Sequence, residues 1–182
     1  MKTRMLIISV VFVLALIAYC CESDSLPVPT EEPIADTLKI EATVRYGRNL
    51  VWYAQVDKAG AYFRRMFVDE RTALLVSQTG EIPDSALLVM ETWEDSTNQS
   101  AVYIRSPRSG VWQSNSFSPV APASWVVSEN ESCNNCHSIA RSTQLTFTKP
   151  LLIKALQTGQ IQRITCEQPS FTPCDLSVYQ NN

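Results

Sequence analysis

Residues 86–117 read ALLVMETW (Ala86–Trp93), EDSTNQS (Glu94–Ser100), AVYIR (Ala101–Arg105), SPRSG (Ser106–Gly110) and VWQSNSF (Val111–Phe117), and their reading decides the fold. Ala86–Trp93 is rich in aliphatic residues and suits a strand. Ala101–Arg105 alternates apolar and polar side chains, Pro107–Gly110 turns, and Gly110–Phe117 alternates again. A period of two puts successive side chains on opposite faces of an extended chain. Three such segments joined by short polar links predict an antiparallel meander.

Working outward, Leu38–Val44 alternates and reads as a strand, and Ala61–Val68 continues in that vein. Asp69 is placed to cap a helix running to Thr79 and closed by Gly80. Pro83-Asp84 then turns the chain into the meander. On the far side Pro119 and Pro122 break it, and Pro150 fits the first turn of a helix over Leu151–Gln157 that Gly159 ends. The class predicted is α+β and β-rich: an antiparallel sheet with a few flanking helices.

The chain has 182 residues, 45% hydrophobic and 18% charged, with a formal net charge of -3. This is ordinary globular composition with room for one domain plus appendages. No basic stripe appears, which argues against a nucleic-acid partner. His137 is the only histidine. A site needing two imidazoles therefore cannot form within one chain, which excludes bis-histidine haem ligation and most catalytic zinc centres.

The N-terminus reads as a targeting segment over residues 1–21. Lys2 and Arg4 precede an apolar run, Met5–Tyr19, interrupted only by Ser9. Cys20 and Cys21 follow, which points to a lipoprotein whose first retained residue is a lipidated cysteine. Tyr19 is larger than the small residue expected before such a cysteine, and Cys20 fills that place for Cys21. Plain cleavage and retention as a short anchor stay open. Any of these exports the protein to an oxidising compartment, the bacterial periplasm, and a lipid or anchor would tether it to the membrane. Residues 22–37, with Pro27, Pro29 and Pro33, read as a solvated tether. A folded domain is expected over 38–165 and a tail over 166–182.

Cys133-Asn134-Asn135-Cys136-His137 carries the chemistry. Behind an export signal, C-x-x-C-H is the attachment motif of a c-type haem. Two thiols one helical turn apart add to the two vinyl groups, and the next residue, His137, becomes the axial ligand of the iron. Two other readings compete. A thioredoxin-like redox pair would follow a buried strand, whereas Ser128–Glu131 reads as polar loop. A structural zinc would join Cys133 and Cys136 to Cys166 and Cys174, at loose spacing and with His137 unexplained. Cys166 and Cys174 fit a disulfide closing a small proline-containing loop better. With one histidine spent, the sixth iron position falls to Met66, Met90 or an open face. An open face suits a small diatomic ligand, whereas a thioether suits electron transfer.

The chain resembles the cytochrome P-460 and cytochrome c′-beta family over about Phe63–Gly159. The resemblance rests on Phe67-Val68-Asp69 and the helix after it, on Gly80-Glu81-Ile82-Pro83-Asp84-Ser85-Ala86-Leu87-Leu88-Val89-Met90-Glu91, and on Ala101–Arg105 with Gly110-Val111-Trp112. It extends through the C-x-x-C-H segment with Ala140, Thr143 and Phe147-Thr148-Lys149, to Leu151–Gly159. It implies a β-rich, often dimeric fold holding one haem c on Cys133, Cys136 and His137. In P-460 proper a strand lysine is bonded to the haem edge and the enzyme oxidises hydroxylamine. Met90 stands at that position here and cannot form the amine bond. Ala101 aligns with the enzyme's distal acid, the proton acceptor such an oxidation needs. The resemblance therefore implies the branch without the cross-link, which binds nitric oxide or stays five-coordinate. The alternative it leaves is a haem oxidoreductase acting on hydroxylamine or a related small nitrogen compound. Tyr62 and Phe63 are the candidates for an aromatic distal cap, and Met90 is expected near the haem edge. No feature of the sequence names a redox partner protein.

Overall fold

The computed structural model describes residues 38–169 and 172–181. The expected signal, the lipidation at Cys20 or Cys21 and the tether lie outside the described residues. Within them the chain runs β1 (Ala42–Arg45), β2 (Arg48–Asp57), β3 (Phe63–Asp69), α1 (Glu70–Thr79), β4 (Leu88–Trp93), β5 (Gln99–Arg108), β6 (Val111–Phe117) and β7 (Ser128–Glu129). There follow α2 (Glu131–His137), a 3-10 turn (Ser138–Thr143), α3 (Lys149–Thr158), β8 (Gln162–Thr165) and α4 (Leu176–Gln180). No helix among the described residues is long and apolar enough to cross a membrane.

The strands form one sheet in the order β1-β2-β3-β4-β5-β6-β7, each pair antiparallel, with β8 added parallel to β2. β1 and β8 share one edge of β2: β1 takes Arg48–Val51 and β8 takes Ala54–Asp57. This is the expected β-rich α+β architecture, with the meander of β4, β5 and β6 at its centre.

β2 is the strand that alternation does not reveal. Leu50 through Gln55 is apolar almost throughout because the strand is covered on both faces, and a register shift between Trp52 and Ala54 breaks its parity at Tyr53. Its hairpin with β1 turns on Tyr46 and Gly47, at φ 51 and 74. Two successive left-handed residues make the turn that matches strand twist, and a tyrosine in the first place hides the usual sequence signal.

Pro107 lies inside β5, opposite Trp112, and the turn itself is Ser109-Gly110. The proline is tolerated because pairing with β4 ends at Arg105, so a missing N–H at position 107 costs no bond on that side. α1 begins as expected. Asp69 accepts from the Thr72 N–H at 3.0 Å, and its other oxygen takes the Leu87 N–H at 2.9 Å, tying the helix start to β4. Gly80, at φ 71, ends it.

Two apolar cores sandwich the sheet. On one face Val51, Tyr53, Val56, Met66 and Val68 meet Ala73 and Val76 of α1 and Leu151, Leu152, Ala155 and Leu156 of α3. On the other, Leu50, Phe67, Val89, Val102, Ile104 and Phe117 are covered by Tyr46, Trp52 and the loop residues Trp125 and Val127. Burial of this aliphatic and aromatic surface is the main source of stability. The helical layer stops short of β4–β6, which leaves room beside α2 for the site.

Candidate functional site

Strand register arranges the open face of the sheet in three rows. Arg105 on β5 pairs with Leu88 and Ser114, Tyr103 pairs with Met90 and Ser116, and Met90 in turn pairs with Met66. Beyond them Arg64 pairs with Thr92, and Thr92 with Ala101. Every second residue of each strand therefore points the same way, and apart from Ala101 these side chains line one cavity of about 480 Å³. Cys133, Cys136, His137, Phe147, Thr148, Pro173 and Tyr179 close it from the other side. Its size is that of a cofactor site.

α2 delivers the two thiols. Asn130 caps it by accepting the Cys133 N–H at 3.0 Å. Asn134 then ties the helix to the sheet: its Nδ2 donates to the carbonyl of Trp112 at 3.0 Å, and its Oδ1 accepts from Arg105 Nη2 at 3.2 Å. Cys133 and Cys136 are both free thiols, three residues apart and on the same side of the helix, facing the cavity.

His137 ends α2. Its ring lies edge-on to Phe147, centroids 5.0 Å apart. Nδ1 is 2.8 Å from the carbonyl of Leu145 and 2.7 Å from Arg105 Nη1, which itself donates to the same carbonyl at 2.9 Å. Arginine has no lone pair, so the two tautomers of His137 meet different fates. With the proton on Nε2, Nδ1 accepts from Arg105. With the proton on Nδ1, it donates to Leu145 and Nε2 is left as a lone-pair donor toward a metal. Burial, reinforced by the Arg105 charge, pushes the imidazole down to about 4, so it is neutral at physiological pH. Burial also lowers Arg105 to about 10, which leaves it charged there. Its guanidinium is held over the Trp112 ring at 4.6 Å.

Two free thiols and a neutral imidazole facing one cavity form a donor set that can hold a haem, with thioether bonds at Cys133 and Cys136 and an axial nitrogen at His137. Met66, Leu88, Met90 and Phe147 supply the apolar walls such a ring needs. A four-thiolate zinc site does not fit, because Cys166 and Cys174 are bonded to each other with Cα atoms 5.9 Å apart. Among the described residues no three His, Cys, Asp or Glu side chains gather to hold a metal ion. A thioredoxin-like context is also missing: the strand before α2 is the two-residue edge strand β7, both of whose residues are exposed.

Of the residues expected at the site, Cys133, Cys136, His137 and Met90 come together around the cavity and Phe63 does not. Phe63 turns to the opposite face, where it stacks on Trp93 with centroids 5.6 Å apart and rings 8° from parallel. Strand parity is the reason: Arg64 and Met66 point into the cavity, so Phe63 and Arg65 point away. Tyr62 lies ahead of β3 and is exposed. The aromatic lining comes instead from Tyr53, Tyr103, Phe147 and Tyr179. The sequence reading also passed over Arg105 and Asn134. A charge at the end of the alternating run Ala101–Arg105 was the one available signal for the former. Searches against protein-family models and against curated proteins find no match to this chain.

Proposed function

We propose that this protein is an exported mono-haem c-type cytochrome. Cys133 and Cys136 would hold the porphyrin, His137 would supply a nitrogen ligand to its iron, and a small neutral gas such as nitric oxide would bind in the same cavity. One observation carries the reading: both free thiols of the C-x-x-C-H motif and its imidazole line the same 480 Å³ cavity. The haem would supply the redox-active iron. The chain's own contribution is to orient His137 through Leu145 and Arg105, to fix α2 through Asn134, and to wall the ring with apolar side chains.

No aspartate or glutamate is among the described residues lining the cavity. An oxidation of hydroxylamine must remove protons as well as electrons, and this lining gives them no carboxylate. Met90 in the lysine position supports the same choice. Gas binding, or electron transfer with Met66 or Met90 near the iron, is therefore favoured over the oxidase of small nitrogen compounds that the resemblance also allows. Tethering in the periplasm through Cys20 or Cys21 completes the proposal.

Ferric and ferrous absorption spectra with and without nitric oxide test it. Ordinary c-type bands that shift on adding the gas are expected, and replacing His137 by Ala should abolish the normal ligation. A broad, red-shifted ferrous band of the P-460 kind, with turnover of hydroxylamine by the pure protein, would overturn the choice of a binding module.

A further inference from the structure

β5 runs through the sheet wall of the cavity with its side chains strictly divided. Val102 and Ile104 enter the apolar core on the far face. Tyr103 between them, and Arg105 after it, therefore turn to the cavity. Tyr103 pairs with Met90 on one neighbouring strand and with Ser116 on the other. His137 belongs to the facing wall, where its ring lies edge-on to Phe147. Tyr103 thus stands across the cavity from the wall that carries the imidazole. Arg105, one row away, meets His137 at Nδ1, and that contact leaves Nε2 for whatever the cavity holds.

The hydrogen-bonding groups of the lining are mostly committed. Tyr53 shares a 2.6 Å hydrogen bond with the Thr148 hydroxyl, and Tyr179 accepts the Cys174 N–H at 3.2 Å. Arg105 donates to Ser114, Leu145 and Asn134. Tyr103 differs: among the described residues its hydroxyl has no partner, although the side chain is half-buried. Its row neighbours Met90 and Met66 offer only thioether sulfur, a weak acceptor. Half-buried polar groups are normally satisfied, so this O–H is a donor kept for an occupant of the cavity. It is also held by a central strand, paired on both sides, which fixes where it can reach.

We propose that Tyr103 is the hydrogen-bond donor to a small diatomic ligand held in this cavity, and so selects ligands whose outer atom is an oxygen able to accept. The inference rests on the haem reading above and adds to it a residue that the resemblance does not supply. A phenol is a directional donor on an otherwise apolar stretch of wall, where one hydrogen bond discriminates between ligands of the same size. Ligands with a charged outer atom gain no counter-ion from Tyr103, whereas a neutral gas gains a single bond.

The test uses matured wild-type holoprotein and the Tyr103→Phe variant, with carbon monoxide and nitric oxide as probes. Covalent haem content is read first and is expected to be equal in the two. A wild-type protein without covalent haem would overturn both this inference and the reading beneath it before any gas is added. Haem lost in the variant alone would also overturn the inference, because Tyr103 would then serve the porphyrin and not its ligand. With haem present in both, removing the donor is expected to move the C–O stretch of the ferrous carbonyl to higher wavenumber. Exchange into D₂O should shift the wild-type stretch and leave that of the variant in place, a difference that a merely structural role would not produce. Affinity for nitric oxide should fall roughly fivefold, the effect of losing one hydrogen bond. An unchanged stretch and unchanged affinity would overturn the role of Tyr103 and leave the haem reading standing.

Discussion

Nη1 of Arg105 lies 2.7 Å from Nδ1 of His137, and both nitrogens reach the carbonyl of Leu145. The guanidinium thus joins β5, α2 and the turn after it at one point. Its second amino nitrogen holds Asn134, inside the C-x-x-C-H motif, so the sheet positions thiols and imidazole together.

Replacing Arg105 by Leu is therefore expected to destabilise the fold by about 2–3 kcal/mol, since Asn134 Oδ1 and Leu145 O lose a charged donor. Urea denaturation measures this. Lysine is not expected to rescue, because a point charge cannot span three acceptors as the planar fork does. Full rescue by Arg105→Lys would show that charge alone matters.

Glu91 is fully buried on the other face, paired with Arg45 at 2.8 Å and accepting from the Tyr46 hydroxyl at 2.8 Å and Trp93 Nε1 at 3.0 Å. Glu91→Ala is expected to cost about 3 kcal/mol, because it leaves these donors without their common acceptor. Glu91→Gln should cost less, since the amide oxygen can still accept. Glu91 points away from the cavity, so haem content per folded molecule should not change in either variant.

Lys58 gives a pH signature. Burial, with Arg64 adding to it, lowers its pKa to about 8 from an ordinary 10.5. Between those values the unfolded chain binds more protons than the folded one, so this group's contribution to stability rises with pH. The stability of wild type minus that of Lys58→Met is expected to increase from about pH 8 toward pH 10. A flat difference would mean that the ammonium is well solvated where it lies.

Much of this fold was legible because particular residues leave unambiguous marks. Asp69 and Gly80 bracket α1 with a cap and a left-handed terminator, and the alternation in β5 and β6 fixes strands open to different environments on their two faces. β2 was not legible, because a strand buried on both faces loses its alternation and the shift at Tyr53 scrambles what is left. At the site, Cys133, Cys136 and His137 stood out by their spacing together with the targeting segment ahead of them. Phe63 was misplaced because parity along β3 depends on which face the helices cover, a tertiary fact that no local pattern carries. Tyr179 was invisible for a similar reason: only the pairing of β8 with β2 brings the tail to the cavity.

The central claim is that the thiols of Cys133 and Cys136 carry a porphyrin. The most direct measurement is the intact mass of the mature chain, produced in cells competent for cytochrome c maturation and denatured before analysis. The account predicts the polypeptide mass plus one haem, retained under denaturing conditions and lost when both cysteines are replaced by Ser. A mature chain at the bare polypeptide mass, with two thiols open to alkylation at Cys133 and Cys136, would contradict it.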